Sequence, residues 1–348
     1  MFFASDNAGP VHPEVLEAIA RANDGYAMPY GADAASQRVQ AKIREIFEAP
    51  DAMVHLVATG TAANSIALAC LSQPYETVFC SAVAHILEDE CSAPEFYSGG
   101  GKLTIVPCDV DKMNPHDLRS VIAKEGTRGV HGPQRGAVSI TQVAEKGSVH
   151  SLDELQDLVD VAKEFDLPVH LDGARFGNAL VALGCTPAQM SWKLGIDAVS
   201  FGGTKNGLMG VEAVIFFDPA KSWEFELRRK RGAHLFSKSR FLAAQMEAYL
   251  SDDLWLTSAS KANANMARLA NGLRAIEGAE FLCEPEANLV FAKLPRAAHK
   301  RLQTGGAVYY LMDELEGGDD NDLLLSRLVC DWSVSDAQID QFIALATG

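Results

Sequence analysis

The chain has no CxxC pair: its seven cysteines lie scattered at positions 70, 80, 91, 108, 185, 283 and 330 of 348 residues. An odd number at such spacing excludes a disulfide framework and a cysteine zinc site, so reduced thiols of a cytoplasmic protein are expected, with no metal. No run approaches the ~20 apolar residues of a membrane span, and Met1-Phe2-Phe3-Ala4-Ser5-Asp6 lacks the basic region and apolar core of a signal peptide. Positive charge is scarce, 30 Lys and Arg against 46 Asp and Glu, and the net charge of −16 repels phosphate backbones and anionic lipid surfaces. Neither nucleic acid nor membrane is expected as a partner, and an anionic substrate must be captured by local arginines. No GxGxxG follows the first strand-like run, which argues against a dinucleotide-binding protein. Gly202-Gly203-Thr204-Lys205-Asn206 is not a P-loop, because its glycine pattern and the residue after the lysine are wrong.

What is present is enough material for a large core, 48% hydrophobic and 22% charged residues. The length predicts two domains, a large one with an N-terminal arm over 1–245 and a small C-terminal one over 246–348. Helical periodicity marks residues 13 to 23 and 35 to 48. Strand-like runs recur at Val54 to Ala58, Thr77 to Cys80, Lys102 to Pro107, Ala137 to Ile140, Pro168 to Leu171, Ala198 to Phe201 and Ala213 to Phe217. Helical patterns lie between several of them, notably Leu152 to Phe165 and Pro187 to Leu194. This alternation predicts an α/β fold with a mainly parallel sheet covered on both faces. A helix-forming stretch from about Ser239 through Ala275 leads to a smaller α+β unit, with strands expected near Glu286 to Leu294, Ala307 to Leu311 and Leu323 to Cys330.

Two of these runs stop at small residues and deliver one charged side chain each. His170-Leu171-Asp172-Gly173-Ala174-Arg175 places Asp172 after a strand, and Ser200-Phe201-Gly202-Gly203-Thr204-Lys205 places Lys205, 33 residues later, in a tight loop. Strand ends of α/β sheets are where ligands sit. An aspartate that keeps a pyridine nitrogen protonated and a lysine that forms a Schiff base are the two contacts pyridoxal 5'-phosphate needs from a protein. The arrangement resembles the aspartate aminotransferase-like, fold type I, group of enzymes using that cofactor. A strand running into Thr59-Gly60-Thr61-Ala62-Ala63-Asn64 and then a helix offers free N–H groups and a positive dipole end to a phosphate. Arg175 carries a planar fork suited to a substrate carboxylate.

A narrower resemblance rests on a set of short strings. Ser5-Asp6-Asn7, Tyr30-Gly31-Ala32-Asp33, Gly60 to Ser65, Ala84-His85-Ile86 with Asp89-Glu90, His170 to Arg175, Thr204-Lys205 and Arg327-Leu328-Val329 occur in the order found in the low-specificity L-threonine aldolases. They cover nearly the whole chain and are specific as a set. The resemblance implies retro-aldol cleavage of L-threonine, L-allo-threonine and related L-β-hydroxy-α-amino acids such as phenylserine to glycine and an aldehyde. It implies a homotetramer, a dimer of dimers with each active site at a subunit boundary. Position by position, it makes Gly60 and Thr61 the phosphate cup, His85 the ring that stacks on the cofactor, and Lys205 the Schiff-base residue. Ser5, Tyr30, Arg175 and Arg327 become substrate-binding residues, and His131 a second histidine near the substrate hydroxyl. The candidate bases are thus His85, His131 or a water between them. Lys238 stands where the family usually has an arginine reaching the neighbouring subunit's phosphate. Ser139-Ile140-Thr141-Gln142-Val143 departs from the family's Glu-Asn-Thr string, which alters the expected polar contacts to the cofactor's ring oxygen. His12, His150, His234 and His299 are read as structural. The competing functions are a β-eliminating lyase acting on another L-amino acid and a catalytically silent cofactor-binding protein.

Overall fold

The computed structural model describes all 348 residues. Seven strands, β1 (Met53–Val57), β2 (Glu76–Ser81), β3 (Lys102–Val106), β4 (Gln134–Thr141), β5 (Val169–Gly173), β6 (Ala198–Gly202) and β7 (Glu212–Phe216), form one sheet in the order β1-β7-β6-β5-β4-β2-β3. Only β7 runs antiparallel to its neighbours. The carboxyl ends of β4, β5 and β6 therefore open on one edge. Alternation along each strand sends side chains to two cores. Val138, Ile140, Val199, Phe201 and Ile215 meet Leu155, Leu158 and Val159 of the helix Leu152–Glu164 on one face. Ala137, Ala198, Val214 and Phe216 meet Ala62, Ala63, Ile66 and Ala67 of the helix Gly60–Leu71 on the other. Burial on both faces is why β5, β6 and β7 read as continuous runs instead of alternating ones.

A second, antiparallel sheet of β8 (Glu280–Phe281), β9 (Leu289–Pro295), β10 (Tyr310–Leu311) and β11 (Leu323–Val329) has the order β8-β9-β11-β10. Val290, Ala292, Leu294 and Leu328 pack with Leu269, Leu273, Ile339 and Phe342. Phe3 joins this core from the chain's start, its N–H donating to Val308 and its carbonyl accepting from Val329, both at 2.8 Å. No helix is long and apolar enough to cross a membrane.

Three expectations are corrected. Pro187 to Leu194 is turn followed by one 3₁₀ turn at Trp192–Leu194, ended by Gly195 at positive φ. The stretch from Ser239 to Ala275 is two helices, Arg240–Leu250 and Leu254–Leu273, because Asp252 and Asp253 adopt left-handed conformations that a continuous helix cannot contain. The strand expected over Ala307 to Leu311 shrinks to Tyr310–Leu311.

His170 on β5 shows how the sheet handles a buried polar group. Its Nδ1 meets Ser139 Oγ at 3.0 Å and its Nε2 meets Ser200 Oγ at 2.9 Å, one partner on each flanking strand. Burial pushes its imidazole down to about 4, and burial followed by Lys112 does the same to His150. Unfolded imidazoles titrate near 6.5, so this stability is full above that pH and is lost as pH falls toward 4, at about 3 kcal/mol for each group. Urea unfolding at neutral pH and at about pH 4.5 should show the loss, and the non-titrating variant His170→Gln should reduce it.

Candidate active site

The open edge of the sheet collects the charged residues. Asp172 ends β5, buried, and its carboxylate is fixed from two sides: Asn64 Nδ2 donates to Oδ2 at 2.8 Å and the Ala174 N–H to Oδ1 at 3.0 Å. The NH₂ of Asn64 also serves Glu90 Oε1 at 2.9 Å, and that same oxygen meets His85 Nδ1 at 2.8 Å. A chain of hydrogen bonds thus runs from Asp172 through Asn64 and Glu90 to His85. The bond to Glu90 raises the His85 imidazole against the opposing effect of burial, while burial raises Glu90, so the pair holds a proton more readily than either group does in water. With Nδ1 committed, His85 Nε2 is the nitrogen left for chemistry.

Lys205 sits on the 3₁₀ turn Thr204–Asn206 directly after β6, the strand paired with β5 through Asp172 and Ser200. The turn is pinned. Asn206 Nδ2 donates to Tyr249 Oη at 2.7 Å and to the Trp255 carbonyl at 2.8 Å, and the Gly203 N–H donates to buried Glu212 at 2.6 Å. Gly207, at φ +101°, closes it where a β-carbon would strike His12 and Trp332. Burial and then the Arg175 charge depress the Lys205 ammonium, and the acid that draws it back most, Asp6, is already committed to Arg175. An enclosed amine without an ion-pair partner is available to a carbonyl group.

Arg175 is the main departure from expectation. Its Nε and Nη2 grip Asp6 at 2.7 and 3.0 Å, both side chains buried, and Asn288 adds a bond to Asp6 at 3.1 Å. Burial raises the Asp6 carboxyl, but Arg175 and Lys205 outweigh it and hold the group below the usual carboxylate range. Nη1 and the second N–H of Nη2 remain for a ligand. Arg327, on β11, has no carboxylate partner and lies over the Tyr310 ring at 5.7 Å from its centroid. Burial first and Arg175 second depress it, so two guanidinium groups face one region that holds too little negative charge for both. Ser5 Oγ, next to Asp6, accepts the Asn7 N–H at 3.1 Å.

Gly60 and Thr61 open the helix that follows β1, capped by Thr59, whose hydroxyl accepts the Ala62 N–H at 3.2 Å. Their own N–H groups have no carbonyl ahead of them in the helix, and nothing lies within 4 Å of the β-carbon position at Gly60. The donor set suits pyridoxal phosphate: helix-start N–H groups before open space, a fixed acid for a ring nitrogen, an imidazole, and an unpaired amine.

Three expected residues do not join this group within the chain. His131 occupies an exposed 3₁₀ turn ahead of β4, at the amino end of a strand whose far end carries the site, roughly 25 Å away at strand rise. Tyr30 is exposed, its ring under Lys230 and its N–H bonded to the Ser237 carbonyl at 3.1 Å. Lys238 is exposed beside that same turn. Sequence reasoning passed over the roles of Asn64, Asp6, Glu145 and Asn288, which are set by contacts far apart in the chain, and of Glu212, which reaches back nine residues to Gly203. Truncating Asp6→Ala leaves the Arg175 charge buried without its partner and should cost about 3–5 kcal/mol in urea unfolding.

The chain matches the beta-eliminating lyase family over residues 3–296. A low specificity L-threonine aldolase of Pseudomonas aeruginosa is 40% identical over 344 residues, 99% of this chain and 95% of that one. Its counterpart from a Pseudomonas sp. is 40% identical over 98% of this chain and 96% of its own. The threonine aldolase of Leishmania major superposes with a TM-score of 0.92 at 28% identity, over 99% of this chain and 98% of that chain. A serine palmitoyltransferase of Sphingomonas wittichii, at 15% identity and a TM-score of 0.72, shares the fold.

Proposed function

We infer the reaction from the family to which this chain belongs, the beta-eliminating lyases: it is a carbon–carbon lyase that cleaves L-threonine and L-allo-threonine to glycine and acetaldehyde, with pyridoxal phosphate as cofactor. The observation that carries the reading is the enclosed, unpaired amine of Lys205, on the turn after β6, the strand beside the one that carries the fixed carboxylate of Asp172. Lys205 would hold the cofactor covalently, Asp172 its ring nitrogen, and Gly60 and Thr61 its phosphate. When bound, the cofactor supplies a sink for the electron pair left on Cα as the Cα–Cβ bond breaks.

The protein's own groups do the rest. Arg327 takes the substrate carboxylate as its first counter-ion, with Arg175 Nη1 and Ser5 beside it, and this anchoring decides which bond at Cα is presented for cleavage. His85 Nε2 receives the β-hydroxyl proton, with Glu90 holding the ring at Nδ1. The aldehyde then leaves with no charge to disperse. A cytoplasmic homotetramer, built as a dimer of dimers, belongs to this proposal. In that assembly Tyr30, His131 and Lys238, exposed and without contacts to this chain's own site residues, would serve a neighbour. So does a division into a large domain, 1–245, and a small one, 246–348.

Purified protein with added pyridoxal phosphate should release acetaldehyde from L-threonine and L-allo-threonine, benzaldehyde from L-phenylserine, and nothing from D-threonine. Pyruvate and ammonia in place of glycine and aldehyde would reassign the chain to β-elimination. Lys205→Ala should abolish release. Arg327→Ala should raise KM roughly 10- to 100-fold, the worth of a charge-assisted bond, with a smaller effect on kcat.

A further inference from the structure

We propose that Glu145 is a positioning residue of this site, a carboxyl that holds the main chain at His85, and through it the imidazole, and that exchanges a proton while doing so. The proposal rests on the reading of His85 as the group that receives the hydroxyl proton. Glu145 lies in the loop after β4 and turns back on the strand's last residue. Its Oε1 accepts from the Thr141 hydroxyl at 2.7 Å and from the His85 N–H at 3.1 Å. His85 opens the short helix His85–Glu88, whose capping position is Ala84, a residue with no side-chain acceptor. Glu145 therefore satisfies from a distant loop an N–H that the local sequence leaves orphaned. Glu90 sets the rotation of the ring, and Glu145 sets the backbone that carries it.

The other oxygen makes the device titratable. Glu145 Oε2 is sealed from solvent and has no partner, a position costly for a full charge and tolerable for a hydroxyl. Burial pushes the carboxyl up to about 7, the Thr141 bond opposing and Asp172 adding to the rise. The groups facing it are Asp172 on β5, His85, and the thiols of Cys80 on β2 and Cys108, with Glu95 beyond Cys80. No lysine or arginine stands among them to pin the charge. Near neutral pH the group thus changes state: once ionised, its bond to His85 becomes charge-assisted and a second negative charge is placed near Asp172.

Two arms test this. In cofactor-free protein, the wild type and Glu145→Gln are melted across the window from about pH 4.5 to 8. Glutamine keeps an acceptor for both donors and cannot titrate. A carboxyl raised in the folded state contributes stability that is full below its unfolded value and lost as pH rises through the folded one. Glu145→Gln should therefore gain melting temperature on the wild type as pH rises. In the holoenzyme, the limb of kcat/KM near neutrality should vanish in Glu145→Gln and move to higher pH in Thr141→Val, which lacks a bond favouring the carboxylate. Glu145→Ala should lower kcat roughly 10- to 100-fold with KM little changed. A melting difference constant across the window, or a limb unmoved in both variants, overturns the proposal. If the wild type releases no aldehyde, the reaction assignment fails and the melting arm alone decides Glu145.

Discussion

The structure depends on getting charge out of water at one edge of a sheet. Asp6, Asp172, Glu90, Glu145 and Glu212 gather there with Arg175, Lys205, Arg327 and His85, where an isolated charge is prohibitively expensive. The protein settles each charge separately. Asp6 takes a guanidinium fork, Asp172 takes neutral donors from Asn64 and Ala174, Glu90 shares with an imidazole, and Glu145 and Glu212 are pushed toward the protonated form. What remains without a partner is the Lys205 amine and the Arg327 guanidinium. A carbonyl-bearing cofactor for the amine and an amino acid carboxylate for the guanidinium are the partners such a remainder selects, in a protein whose overall charge of −16 would otherwise turn anions away.

That unevenness also sets rigidity. The groups that meet only protein are each tied by short bonds from separate elements: the helix Gly60–Leu71 through Asn64, the second sheet through Asn288, the helix pair through Tyr249 and Trp255. The lysine turn is held from below and from both sides before anything is bound, which lowers the entropy that ligand binding must still remove.

The large sheet was legible because it is covered twice. β5, β6 and β7 are buried throughout and mostly apolar, and small residues mark the points where Asp172 and Lys205 emerge. The second sheet was blurred, since Ala307 to Leu311 contributes only two paired residues and its neighbourhood is half exposed. Pro187 to Leu194 carries helical periodicity without a helix because residue types record which side is buried, not whether the backbone between them is continuous. In the site, Asp172, Lys205, Arg175, Arg327 and His85 could be named because each stands at a strand end or in a recognisable string. Their partners could not. Asp6 lies 169 residues from Arg175, and Glu145 lies 60 residues from His85. No local pattern encodes such pairings. Asp6 had one indirect signal: an arginine buried at a strand end needs an acid, and the short polar string at the chain's start held one. Arg175 shows the converse, a location legible from the sequence whose guanidinium is shared: two of its five N–H donors go to Asp6, a partner that no local pattern announced.

The first six residues have a consequence for how the molecule comes into being. Phe3 is stitched between Val308 and Val329, and Asp6 reaches Asn288 as well as Arg175. This segment is thus secured by segments made long after it, Asn288 coming 282 residues after Asp6, and its apolar Phe3 has nowhere to dock while the stretch between is being made. The large sheet can form before the second one is made, but the arm that carries Asp6 is not anchored until Asn288, Val308 and Val329 have emerged. Vectorial synthesis therefore separates the moment the large sheet can form from the moment the arm that supplies Asp6 to Arg175 is locked in place.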